Sequence, residues 1–193
     1  RSASLGAPFT FEEHIEDLEL VIGDRPSVLF GHSYGGSIAL AVASRGNSFV
    51  HAAVSYEAPR TWETWWPPPP GTDIDPADAA EHFVKRMIGQ ERWQTLPASS
   101  RLNLRRQGVL MVHELNTQKI QRYRVEEAEV PLILGVGDFS GEHAQKAATI
   151  FSEEAKRGRV VRLLGAKHDA PMSHPEQIAG LIGAAVRQIS KLL

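Results

Sequence analysis

Five consecutive residues constrain this chain more than any others: Gly31, His32, Ser33, Tyr34 and Gly35, a G-x-S-x-G run set between an apolar stretch and a helical one. Val28, Leu29 and Phe30 read as a short buried strand, while Ile38, Ala39, Leu40, Val42 and Ala43 suit the buried face of a helix. A serine between them sits on a sharp turn. Glycine on either side removes Cβ atoms that would collide, so the backbone can hold the serine strained, with its hydroxyl clear of the sheet. That is how a nucleophile is displayed; a serine that merely caps the helix is the plainer alternative.

The pattern around the turn alternates between strands and helices. Thr10 to Gly23 has a capping-box spacing in Thr10 and Glu13 and an apolar face in Ile15, Leu18 and Val21 or Ile22. Val50 to Tyr56, Val130 to Val136 and Val160 to Leu164 read as strands. Glu142 to Lys156 and Pro175 to Leu193 read as helices, the last amphipathic. Strands alternating with helices predict an α/β fold with a mostly parallel sheet covered on both faces. Residues 60–128 differ in character: Trp62, Trp65 and Trp66, four prolines from Pro67 to Pro70, and charge-rich helical segments at 77–92 and 99–115. The expected organisation is a core of residues 1–58 and 129–193 with a helical cap, 59–128, inserted between its halves.

Composition excludes several classes of function. With 193 residues, 42% of them hydrophobic, the chain can bury the core of one domain. Twenty-one Lys and Arg against 23 Asp and Glu leave a net charge of -2, which draws the chain toward neither nucleic acid nor anionic membrane. A small-molecule partner is expected. The absence of cysteine rules out a disulfide framework and a thiolate metal site, and agrees with a reducing compartment. No run reaches membrane-span length and the first residues lack the apolar segment of a signal peptide, so the expected location is the cytoplasm. No metal or other cofactor is expected. Gly135, Gly137 and Gly141 miss the G-x-G-x-x-G spacing, and His168 with His174 lacks a helical ligand interval.

A serine hydroxyl reacts only when a base takes its proton, usually a histidine oriented by a carboxylate. Of eight histidines, His168 follows the last strand through Gly165, Ala166 and Lys167, in a loop at the carboxyl end of the sheet, where it would face the serine turn. His32, inside the turn, is expected to pack rather than react. It is grouped with Trp62, Trp65 and Trp66 as candidates for contacting substrate, the tryptophans as lining for an apolar acyl or aryl pocket. The basic cluster Arg101, Arg105 and Arg106 reads as a solvated helix face.

On these motifs the chain resembles the α/β-hydrolase family, in particular bacterial members with a Gly-His-Ser-Tyr-Gly-Gly elbow and a helical cap. The resemblance rests on Gly31 to Gly36, on Tyr56-Glu57-Ala58-Pro59, on the Pro131 to Gly137 strand and on Gly165-Ala166-Lys167-His168. It implies catalytic roles for Ser33 and His168. It also implies an acid, for which two candidates stand. The position three residues beyond Gly137, an Asp in many members, is Ser140 here. Asp138 lies two residues earlier in the same loop, and Glu57 occupies the alternative acid position at the end of the strand before the cap. Glu57 is preferred.

Serine rather than aspartate as nucleophile implies acyl transfer on a small apolar ester-type substrate, with the Tyr34 backbone N–H as one oxyanion donor. The His-Gly loop that supplies the family's second donor has no counterpart, and Arg1 and Ser2 resemble the end of a loop lying well inside other members. On that resemblance the N-terminal strands are missing, and an uncovered strand edge favours pairing with another chain, such as a homo-oligomer. A catalytically impaired binding or interaction module that retains the elbow is the alternative function.

Overall fold

The computed structural model describes residues 9–69 and 73–189; Arg1, Ser2, Pro70 and the final four residues of the expected C-terminal helix lie outside them. Periodicity places most elements correctly. They are α1 (Phe11–Ile22), β1 (Ser27–His32), α2 (Tyr34–Ser44), β2 (Val50–Tyr56), α3 (Pro76–Ile88), α4 (Gln90–Thr95), α5 (Ala98–Arg106), α6 (Gly108–Thr117), β3 (Leu132–Gly137), α7 (Glu142–Glu154), β4 (Gly158–Leu163), α8 (Ala170–Ser173) and α9 (Pro175–Ile189). The described residues form two compact units, one drawn from 9–11, 61–69 and 73–120, the other from 12–60 and 121–189.

The larger unit holds a four-stranded, wholly parallel sheet in the order β1-β2-β3-β4. Alternation along each strand sends successive side chains to opposite faces. Ala52, Val54 and Tyr56 of β2, Ile133 of β3 and Leu163 of β4 bury against Ile178, Leu181 and Ala185 of α9. On the other face α2 lies on β1 and β2, and α7 on β3 and β4. With both faces covered, the central strands β2 and β3 are buried almost throughout, while the edge strands β1 and β4 keep exposed positions. All six residues of β3 are buried. Arg60, 3% exposed, ends this section of chain by pairing with Glu154 at 2.6 Å while lying 4.7 Å over the Phe151 ring.

The smaller unit is helical. Asp75 caps α3 by accepting hydrogen bonds from the N–H groups of Ala77 and Asp78, with Pro76 in the first turn. The helical segments expected at 77–92 and 99–115 are each two helices. Gly89, at φ 89°, separates α3 from α4, and Gln107 separates α5 from α6. The second break brings Gly108 against the start of α3, where an added Cβ would stand 2.0 Å from the Pro76 carbonyl oxygen. Within the basic cluster Arg105 is engaged, pairing with Asp78 and Glu81.

Candidate active site

Ser33 follows the last residue of β1 and occupies the N-cap position of α2, its side chain making no capping hydrogen bond. Its φ of 55° and ψ of -122° are far from strand or helix values. The Ser33 N–H donates to the Tyr56 carbonyl oxygen at 2.9 Å, and the Ser33 carbonyl accepts from Gly36 and Ser37, so the turn is tied at both ends. Gly31 permits it. A Cβ there would lie 2.0 Å from the Gly35 carbonyl oxygen. The second glycine in close contact is Gly36, not Gly35: nothing lies within 4 Å of a Cβ at Gly35, whereas one at Gly36 would stand 2.6 Å from Ser55 Oγ. This corrects the sequence reading, because the helix turns inward onto β2 one residue later than the motif implied.

Parallel pairing sets His32 beside Tyr56, so Glu57, the next residue, leaves β2 level with the serine turn. Glu57 has φ 52°, and it and Ser33 are the two non-glycine residues with positive φ among those described. Such conformations cost about 1–3 kcal/mol each and persist where the surroundings hold them. The Glu57 side chain is 3% exposed. Its Oε1 accepts from the Gly137 N–H at 3.1 Å and from the Ser140 hydroxyl, and its Oε2 lies 2.8 Å from His168 Nδ1. Burial works against the charge of this carboxylate, but the His168 hydrogen bond and charge, the Ser140 hydroxyl and the Gly137 N–H together outweigh it. The carboxyl is held below its usual range. An ionised carboxylate only accepts, so Nδ1 carries a proton in this contact.

Asp138, the other acid candidate, does not meet the ring. Its backbone N–H donates to Leu163 and its Oδ1 is buried without a hydrogen-bond partner. His32 packs against His168 with ring centroids 4.6 Å apart and planes inclined at 47°, and its ring lies 5.9 Å from that of Tyr56. Burial, then the proximity of His168, pushes its pKa down to about 4, so His32 stays neutral at neutral pH. Tyr34 opens α2, which directs its backbone N–H out of the helix N-terminus. Trp62, Trp65 and Trp66 belong to the smaller unit, where the Trp65 and Trp66 rings lie 6.0 Å apart.

Two contributors escaped the sequence reading. The Tyr56 hydroxyl donates to the Lys167 carbonyl oxygen at 2.7 Å, anchoring the residue before His168. Burial, followed by the Glu57 charge, pushes the Tyr56 pKa up, so the hydroxyl keeps the proton it donates. Tyr56→Phe should lower stability by about 1–2 kcal/mol in urea unfolding, the cost of leaving that carbonyl unpaired. Ser140 stands where many relatives carry an Asp, and its hydroxyl donates to Glu57 Oε1. The only signal was its position, three residues beyond Gly137.

Among the described residues no group of three or more His, Asp or Glu could hold a metal ion, and no helix is long and apolar enough to cross a membrane. A search of curated proteins finds no match. Among solved structures, the chain is similar to MenH from S. aureus (TM-score 0.69, 14% identity, covering 97% of this chain and 79% of that one). It is similar to ClbQ from the colibactin NRPS/PKS pathway (0.70, 17%, covering 100% and 84%) and to a hydrolase from Pseudomonas aeruginosa PA01 (0.70, 16%, covering 96% and 76%). At these identities the likeness speaks for the fold. The family model described as alpha/beta hydrolase family matches residues 2–181, and with the parallel strand order and the serine turn between β1 and α2 it establishes that the chain belongs to the alpha/beta hydrolase family.

Proposed function

We propose that the protein is a serine hydrolase that acts by acyl transfer on a small apolar ester-type substrate, with Ser33 as nucleophile, His168 as base and Glu57 as the acid. The observation that carries this reading is the 2.8 Å contact between His168 Nδ1 and Glu57 Oε2, taken with a serine held at φ 55° on the turn after β1. Ser33 Oγ attacks the acyl carbon as its proton passes to His168 Nε2, and the carbonyl π electrons move onto oxygen. The Tyr34 N–H, at the positive end of the α2 dipole, stabilises that oxyanion. Collapse re-forms the carbonyl and expels the alkoxide, which takes the proton from His168. Water then attacks the acyl-enzyme by the same route and returns Ser33 to its starting state.

Glu57 stabilises the imidazolium that forms in each half. Neutral His32 adds no second positive charge 4.6 Å away, so protonation of His168 is not opposed from that side. Treatment with a fluorophosphonate, followed by peptide mass spectrometry, should place the adduct on Ser33. A panel of p-nitrophenyl esters of increasing acyl length then reports the size of the acyl site. Absence of labelling in folded protein would overturn the proposal and favour a binding module that retains the elbow.

A further inference from the structure

We propose that Ser140 is a positioning residue for Glu57: its hydroxyl and the Gly137 N–H grip Oε1, which leaves Oε2 the one oxygen turned to His168 Nδ1. This rests on the triad proposed above and extends it to a residue outside it. The need for such a grip follows from the chain. Glu has one more rotatable bond than Asp, and Glu57 sits on a backbone at φ 52° at the end of a strand. A carboxylate so placed has to be fixed by what surrounds it. The loop after β3 is itself firmly held. Asp138 N–H donates to Leu163 at 3.0 Å, Phe139 N–H to Ala166 at 3.1 Å, and Ser140 N–H to Gly137 at 3.2 Å. Gln145 Nε2 donates to the Ser140 carbonyl oxygen at 3.0 Å.

Gly137 brings this loop against the segment leading to His168, since a Cβ there would lie 2.2 Å from the Ala166 carbonyl oxygen and 2.7 Å from Ser140 Oγ. One short loop therefore holds the carboxylate on one side and touches the histidine segment on the other. The other ionisable groups around Glu57 are His168, His32 and Tyr56, with Asp169 acting on the latter two. Tyr56 also brings its hydroxyl close to both the Glu57 carboxyl and Ser140, while it donates to the Lys167 carbonyl oxygen at 2.7 Å.

The test compares wild type with Ser140→Ala, and with the pair Ser140→Thr and Ser140→Val, which share a shape and differ in the hydroxyl. Three readouts are followed: the low-field proton resonance of His168 Nδ1–H, the pH midpoint of the Glu57 carboxyl carbon by NMR, and the rate of fluorophosphonate labelling. Loss of the hydroxyl is expected to weaken or broaden the low-field resonance and raise the Glu57 midpoint. It should also slow labelling roughly tenfold, the scale of a hydrogen bond to a charged group. Threonine should restore all three; valine should not.

A wild-type resonance and midpoint in Ser140→Ala or Ser140→Val would overturn the inference. Should Ser140→Ala fail to fold, the threonine and valine pair decides. If wild type does not label but its NMR signals respond to the hydroxyl as described, the positioning role stands and the hydrolase reading falls.

Discussion

Glu57→Gln is expected to slow acylation of Ser33 by about 10⁴-fold without unfolding the protein, read as the rate of fluorophosphonate labelling or of p-nitrophenyl acetate turnover. The carboxamide has nearly the same shape, and its oxygen can still accept from the Gly137 N–H and the Ser140 hydroxyl. That arrangement turns its NH₂ toward His168, and an NH₂ needs an acceptor. Nδ1 must then present its lone pair, the proton moves to Nε2, and the ring can no longer take a proton from the serine. Rotating the amide restores the tautomer but sets NH₂ against two donors. A loss below about tenfold would show that Glu57 does not orient the base.

The same substitution separates two contributions to acid stability. The Glu57 carboxyl is held below its unfolded value, so its contribution is present above the unfolded pKa and is lost as pH falls through the lower folded one. His32 also acts against folding in acid. Its folded pKa is about 4, against 6.5 unperturbed, so the unfolded chain binds this proton first and stability declines as pH falls between those values. Glu57→Gln should shrink the lower-pH part of the decline in urea unfolding, to which Glu81 and Glu126 also contribute, and leave the part that begins near pH 6.5. A wild-type acid profile in the variant would show that this carboxylate does not feed stability.

Gly31→Ala carries the second large effect, on folding. The added methyl would stand 2.0 Å from the Gly35 carbonyl oxygen and 2.6 Å from the Gly36 nitrogen. Both are backbone atoms of the first turn of α2, which is buried from Gly36 to Ser44. Neither can rotate aside as a side chain could. The helix has to move off β1 or the serine turn has to open, and overpacking of this kind costs about 3 kcal/mol or more. Urea unfolding should show that loss, and labelling should fall with it. Gly35→Ala is the control, since nothing lies within 4 Å of its Cβ and the expected change is small.

Much of the architecture was legible in the chain. β2 occupies Val50–Tyr56 as the run of apolar and β-branched residues predicts, and α1, α2, α7 and α9 follow from apolar spacing. Period and composition are local properties, written where they act. The breaks at Gly89 and Gln107 were harder to see, because a glycine or a glutamine in a charged helical stretch does not say whether the helix continues. The four-residue α8 is too short for a period to register.

At the site the division falls between chemistry and contact. Ser33 on its turn and His168 after the last strand were visible because a motif and a strand end mark them. For the carboxylate that meets His168 the sequence preferred Glu57 but left Asp138 standing, since the partners lie 111 residues apart. Parallel pairing of β1, β2 and β3 decided it by bringing Tyr56 level with both His32 and Gly135, so that Glu57 emerges over the loop that begins at Gly137. The sequence by itself determined the alternation of elements and which groups could react. Only the tertiary structure decided that Ser140 would donate to Glu57 and that His32 would lie neutral against His168. Hydrogen bonds and desolvation depend on distances across strands, and no spacing along one chain contains those.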